Sequence, residues 1–169
     1  MIKFFNKNKY NNFIIKSDGA SWVLDEIKKE LEIIIKKKFK LINQLYTKFL
    51  SNQCIFYLNK YDLLKDKFNN NKIGISYFHV DDKQKKKNNS ILKILKTNDL
   101  VKAIQVTNDS IKNYLIKKGI NKNKIFKIPI GIDLRKFHFS TIKEKRENKK
   151  KKNLKDFMVI GSFQKDGIG

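Results

Sequence analysis

Residues 103–130, AIQVTNDSIKNYLIKKGINKNKIFKIPI, carry the pattern that sets the fold class. Ala103 to Val106 reads as a core strand. Asn108 or Asp109 can cap the helix that follows, whose apolar positions are Ile111, Leu115 and Ile116. Gly119 can take the left-handed conformation that stops a helix, and Ile120 just beyond it is placed for the usual hydrophobic contact. Ile125 to Ile130 is the next strand, and Pro129 marks its end or a sheet edge. Gly131 allows positive φ, so IPIGID, residues 128–133, reads as a sharp exit from the sheet.

The same alternation extends toward the N-terminus. Phe13-Ile14-Ile15 is a short buried strand, Ser17-Asp18-Gly19 a turn, and Ser21 a helix cap. Leu24, Ile27, Leu31, Ile34 and Ile35 recur at helical spacing and predict one apolar stripe. Asp25 and Glu26 near its start and Lys36 to Lys38 near its end complement the helix dipole. That helix continues, or a second follows it, through Phe49. Cys54 to Leu58 and Ile73 to Val80 are further strands. Lys83 to Asn89 reads as a solvated loop, and Ile91 to Leu100 as a short helix. The strand runs lack strict alternation, and helices separate them, which fits a parallel sheet covered on both faces. The fold class is therefore α/β, a Rossmann-like parallel sheet. Beyond it, residues 141–155 (TIKEKRENKKKKNLK) read as a basic linker or a surface helix, and Phe157 to Ile160 as a new buried strand.

A length of 169 residues suits one compact domain, and 40% hydrophobic with 12% aromatic content argues against disorder despite 33% charged residues. The net charge of +23 would suit nucleic acid or an anionic membrane. Of the 39 basic residues, however, only Arg135 and Arg146 are arginine, the residue that base readout and bidentate phosphate capture favour. Lysine, asparagine and isoleucine share A/T-rich codons, so most of the charge reads as genomic base composition displayed on a solvated surface. A selected polyanion-binding surface built on KKKFK, KQKKK and KKKKN is the alternative. Cys54 lies in the apolar run CIFYL and reads as a buried, inert thiol in a reducing compartment. The opening MIKFFNKNKYNNF lacks the long apolar centre of a signal peptide, and no apolar run reaches bilayer length. A cytoplasmic protein, at most peripheral at the inner face of the cell membrane, is expected.

QVTNDSIKNYLIKKGINKNKIFKIPIGIDLRKF resembles the end of the N-terminal domain of family-4-type nucleotide-sugar glycosyltransferases. There a strand with Thr-Asn precedes a helix, a Gly and an Ile-Pro-X-Gly-Ile-Asp segment followed by Phe. MVIGSFQKDGIG resembles the first strand and loop of their donor-binding domain. SDGASWVLDEIKKEL is similar to an early loop and helix of the acceptor domain, and IGISYFHVD to its central strand. The resemblance implies one half of a GT-B architecture, two Rossmann-like domains facing across a cleft. It implies a Rossmann-like N-terminal domain over residues 1–140, a linker over 141–155, and over 156–169 the first strand and loop of an incomplete nucleotide-sugar-binding domain. The chain is then a truncated one. The implied activity is hexosyl transfer from a nucleotide-diphosphate sugar to a saccharide or glycolipid acceptor, usually with retention of anomeric configuration. The carboxylates that hold the donor sugar and ribose in this family lie further along its second domain and have no counterpart here. Little or no activity is therefore expected of this chain alone.

On the acceptor side, His79 is the leading candidate, because the carboxyl end of a parallel strand opens into the ligand crevice. A neutral imidazole there could bond an acceptor hydroxyl or the sugar's 6-position; a histidine satisfied by backbone is the structural alternative. Asp81 and Asp82 follow it and could orient the acceptor or cap the next element. Gly19 could line the cleft or make an ordinary tight turn. The resemblance puts Gly161, Ser162 and Lys165 near the donor diphosphate, where glycines admit backbone N–H groups and a lysine supplies a cation against the charge gathering on the leaving group. No catalytic residue is assigned. His138 has no chemical partner in the sequence. Two isolated histidines and one cysteine make no zinc spacing, and no cofactor is implied. There is no G-x-S-x-G elbow and no G-x-x-x-x-G-K-[ST] loop, which removes serine-hydrolase and P-loop chemistry.

Overall fold

Among the described residues, six parallel strands make one sheet in the order β2-β1-β3-β4-β5-β6. The strands and helices follow the chain as β1 (Asn12–Lys16), α1 (Val23–Ile35), β2 (Lys40–Leu41), β3 (Cys54–Tyr57), β4 (Lys72–Tyr77), α2 (Lys85–Thr97), β5 (Val101–Val106), α3 (Asp109–Lys117), β6 (Ile125–Lys127) and α4 (Ile142–Lys151). The structure is a computed structural model, and it describes residues 12–19, 23–67, 70–131 and 140–154. It divides into two compact units, Met1–Ile130 with the sheet, and Gly131–Gly169 with α4. The sequence-level expectation of a Rossmann-like α/β fold is met.

Alternation along each strand sorts the core into two layers. Phe13, Ile15, Cys54, Phe56 and Leu58 face one way and pack with Leu24 and Ile35 of α1. Ile14, Ile55, Tyr57, Ile73, Ile75 and Tyr77 face the other way and pack with Ile91, Leu92 and Leu95 of α2 and Ile111 and Leu115 of α3. Each fully buried large side chain is worth about 1.5–3 kcal/mol of transfer free energy, so both layers are needed to offset chain entropy. Both faces of the sheet are covered, which is why its strands read as apolar runs. One position depends on having no side chain at all. Gly74 pairs with Phe56 across β3 and β4, and a Cβ there would lie 2.5 Å from Phe56 Cδ2.

The α3 unit follows its sequence closely. Asn108 accepts the Ile111 backbone N–H through its side chain. Gly119 has φ +83°, the Ile120 N–H bonds Leu115 O, and the Gly119 N–H bonds Ile116 O, the double closure of a Schellman stop.

Elsewhere the structure differs from expectation. No helix runs on through Phe49. The chain turns at Lys36 to Lys38, adds the two-residue edge strand β2, and makes a short 3-10 helix over Gln44–Lys48. The missing strand raises Ile125–Lys127 from fifth to sixth. Ile34 is not on the buried stripe but 52% exposed, because Leu24, Ile27, Leu31 and Ile35 already complete the inward face at steps of three and four. The solvated loop expected over Lys83 to Asn89 is helical from Lys85, with Asn88 buried and donating from Nδ2 to Asp81 O. Lysine propagates helices well, and Asp81 starts this one by capping the 3-10 turn Asp82–Gln84 ahead of it. The helix then stops at Thr97, short of Leu100. β4 ends at Tyr77, so His79 stands beyond the strand rather than at its last position. Gly131 is not among the residues with positive φ. In the second unit, the choice between linker and helix falls on α4, closed by a capping box between Thr141 and Glu144 and without a buried residue. Ser21 and the strand expected at Phe157 to Ile160 lie outside the described residues.

Candidate functional site

The carboxyl edge of the sheet collects the polar side chains. β2 lies outside β1 while β3 lies on its other side, so chain order reverses at β1 and makes the switch point where doubly wound sheets open a crevice. Ser17 to Gly19 leave β1 there. Ser17 is buried, its Oγ donating to Asp25 Oδ1 (2.6 Å) and its N–H to Gln44 Oε1 (3.1 Å). Gly19 has φ +69° and is exposed, and a Cβ on it would meet nothing within 4 Å. Beside it, Lys16 Nζ and the Tyr57 hydroxyl both reach Asp66 Oδ2, at 2.5 and 2.8 Å. Burial, then the Asp66 carboxylate, pushes the Tyr57 phenol upward, so it stays a donor.

The β3 exit connects to both neighbours. Asn59 Nδ2 reaches Asp18 Oδ2 at 3.4 Å, and its Oδ1 caps the 3-10 helix Lys60–Leu64 by accepting from Tyr61 N. The next residue, Lys60, is only 4% exposed. Its ammonium donates to the His79 carbonyl at 2.5 Å and lies 4.5 Å from the Tyr77 ring centre and 5.1 Å from that of Tyr61. Burial pulls its pKa down to about 8, with Asp81 opposing. A carbonyl and two ring faces, in place of a bonded carboxylate, thus hold a nearly enclosed cation.

His79 and Asp81 lie on the loop that Lys60 holds. His79 is exposed, and Asp81 is half-buried. Tyr61 Oη donates to Asp81 Oδ2 at 3.1 Å, and Lys83 N donates to Asp81 Oδ1 at 3.1 Å. Burial draws the Asp81 carboxyl upward, but hydrogen bonds from Tyr61 and from the Lys83 and Gln84 backbone outweigh it and hold the group below the ordinary carboxylate value. Burial first, then Asp81, pushes Tyr61 up to about 12. Tyr77 is fully buried, and its phenol is pushed upward by burial and then by Tyr114 and Tyr61. Among the described residues, the Tyr77 hydroxyl has no hydrogen-bond partner.

Of the sequence candidates, Gly19, His79 and Asp81 all stand at the carboxyl edge, linked through Asp18–Asn59, Lys60–His79 and Tyr61–Asp81. Gly161, Ser162, Lys165 and His138 lie outside the described residues. Lys60, Tyr61 and Asn59 were not anticipated. The available signal was NKY, a lone lysine against an aromatic just after an apolar strand. Chemically the ledge offers neutral donors, an ionised carboxylate and an imidazole, a set suited to hydroxyl groups. Among the described residues, no group of three or more His, Cys, Asp or Glu is arranged to hold a metal ion. No described helix is long and apolar enough to cross a membrane.

The fold and this edge define the class, a Rossmann-like α/β domain with a polar ledge at its switch point. No protein-family model, curated protein or solved structure matches the chain.

Proposed function

We propose that this chain is the acceptor-side part of a family-4-type, GT-B glycosyltransferase, which transfers a hexosyl group from a nucleotide-diphosphate sugar to a saccharide or glycolipid. The observation that carries the reading is the joined ledge at the carboxyl edge, with the Gly19 turn and the His79–Asp81 loop on the strands flanking β3. The IPIGID motif just after β6 adds to it. In this reading His79 and Asp81 bond acceptor hydroxyls, and Gly19 leaves room for the sugar. Gly161, Ser162 and Lys165 belong to the donor side, which a further domain completes. The protein works in the cytoplasm, at the inner face of the membrane when its acceptor is a lipid.

The test is an assay of the reading frame through and beyond Gly169, with radiolabelled uridine- and guanosine-diphosphate hexoses and a panel of saccharide and glycolipid acceptors. Transfer is expected from the extended protein and not from residues 1–169. His79→Ala should lower kcat/KM by about tenfold to hundredfold, the loss of a hydrogen bond or two near the reacting centre. No turnover with any donor, or a frame that closes without a second α/β domain, would count against the proposal.

A lysine-rich binding domain without catalysis is the second reading. One observation favours it: an open groove of about 870 Å³ lined by Lys83, Lys85, Lys86 and Lys87 with Leu64 and Ser90. It predicts binding to nucleic acid or anionic lipid that weakens steeply with salt and has little sequence preference.

A further inference from the structure

We propose that the turn between β2 and β3 is a membrane-docking surface that seats this domain on a bilayer rich in anionic lipid. The carrying observation is an inversion. In the 3-10 helix Gln44–Lys48 and the residue after it, the polar Thr47 is buried at 2% exposure, while Leu45, Tyr46 and Phe49 are 76%, 58% and 82% exposed. Water favours the opposite arrangement.

The inversion is fixed by hydrogen bonds. Asn43 Oδ1 accepts from Leu45 N at 3.0 Å, the Thr47 hydroxyl donates to Gln44 O, and Phe49 N donates to Tyr46 O at 3.0 Å. Gln44 Oε1 anchors the turn by accepting from Ser17 N (3.1 Å) and Lys28 Nζ (3.2 Å). The three apolar side chains are therefore presented outward by a turn fastened to the end of β1.

Charge identifies the partner. Between Glu32 and Asp62 the sequence contains no Asp or Glu, yet it holds the exposed Lys36, Lys37, Lys38 and Lys40 ahead of the turn. An outward-facing aromatic and aliphatic turn, preceded in the chain by exposed lysines and free of acidic neighbours in sequence, matches an interface of acyl chains, headgroups and anionic phosphates. A second copy fits poorly, because association through this turn would bring together two chains of net charge +23. A protein interface core is depleted in lysine and built around a pocket, whereas this is a protruding turn. Sugar transfer is not required for the inference. If transfer does occur, the Gln44–Ser17 contact places the Gly19 turn close to the headgroups.

The test is co-sedimentation of the 169-residue chain with phosphatidylcholine vesicles, with and without about 30 mol % phosphatidylglycerol, in buffer near physiological ionic strength. Comparison is made with the double variant Leu45→Ser and Phe49→Ser, and with Phe49→Trp. Wild type and Phe49→Trp should bind the anionic vesicles, and the double variant should bind them at least tenfold more weakly with an unchanged circular dichroism spectrum. Equal binding by wild type and double variant would overturn the proposal, since diffuse lysine charge alone would then explain attachment. Absence of vesicle binding, with a dimer in sedimentation velocity that the double variant abolishes, would overturn it in favour of self-association.

Discussion

At the residue scale, Lys60 carries the most information about how the edge is held. An unfolded lysine keeps its proton up to the ordinary value of 10.5, whereas the folded one releases it near about 8. Between those values the unfolded chain binds more protons, so this residue's contribution to stability rises with pH; below the folded value the full penalty of burying the cation is present. Lys60→Met has no such penalty. Wild-type stability measured by urea unfolding should therefore gain on that of the variant as pH goes from about 7 to about 9.5. A gap that stays constant with pH would show the ammonium to be solvated. Above the ordinary phenol value of 10.0, Tyr61, pushed up to about 12, lowers the stability of both proteins as pH rises. The sequence shows only NKY, a lone lysine against an aromatic after an apolar strand, because the burial comes from β4 and its exit loop. Cys54 was legible, since an apolar run on both sides leaves a thiol few places but the core. It is fully buried, and its thiol is pushed up to about 12 by burial, against a smaller opposing effect of Lys72. Native protein should leave Cys54 unlabelled by a thiol reagent at neutral pH and react at full stoichiometry in denaturant.

At the scale of elements, the strands report how tightly the two layers close. Gly74→Ala would drive a methyl into the buried Phe56 ring, which has no solvent to swing into. Destabilisation of about 1–3 kcal/mol is expected, the usual cost of overpacking, and thermal unfolding should fall by several degrees. An unchanged midpoint would mean that the ring shifts freely and that the layer is loosely packed. Elements fixed by local chemistry were read well: α3 has its Asn108 cap and Gly119 stop within the segment itself. Elements fixed by pairing were not. β2 is two residues long and exists because Asn12 and Phe13 align with Lys40 and Leu41, a contact between distant parts of the chain. The start of α2 was lost for a related reason, since four lysines and two asparagines suggest solvent while their helix is set by Asp81 and the buried Asn88. The candidate edge shares this split. The position of Gly19, His79 and Asp81 at the carboxyl edge is legible because strand ends can be read from hydrophobic runs, whereas their tethers are not, because they join separate loops.

At the scale of the whole molecule, charge opposes the fold that the apolar layers create. A chain of 39 basic and 16 acidic residues repels itself, and the repulsion is largest in the compact state. Local pairs such as Lys16–Asp66 and Lys65–Asp62 neutralise a few sites, but Lys143, Lys145, Lys150 and Lys151 of α4 and Lys85 to Lys87 at the α2 start stand exposed. Screening of repulsion between exposed lysines should outweigh screening of those attractive pairs, because repulsive neighbours are more numerous and the Debye length shrinks to about 8 Å at physiological salt. The midpoint of thermal unfolding should therefore rise by several degrees as sodium chloride goes from about 0.01 to about 0.3 M, followed by scanning fluorimetry. A fall over that range would mean that the ion pairs at the sheet's carboxyl edge contribute more than the diffuse repulsion. The same titration bears on function, because anionic vesicles supply the counter-charge that salt supplies in solution. If the Leu45–Phe49 turn inserts, bound protein should gain more thermal stability than salt alone provides, and the double variant should lose that extra gain.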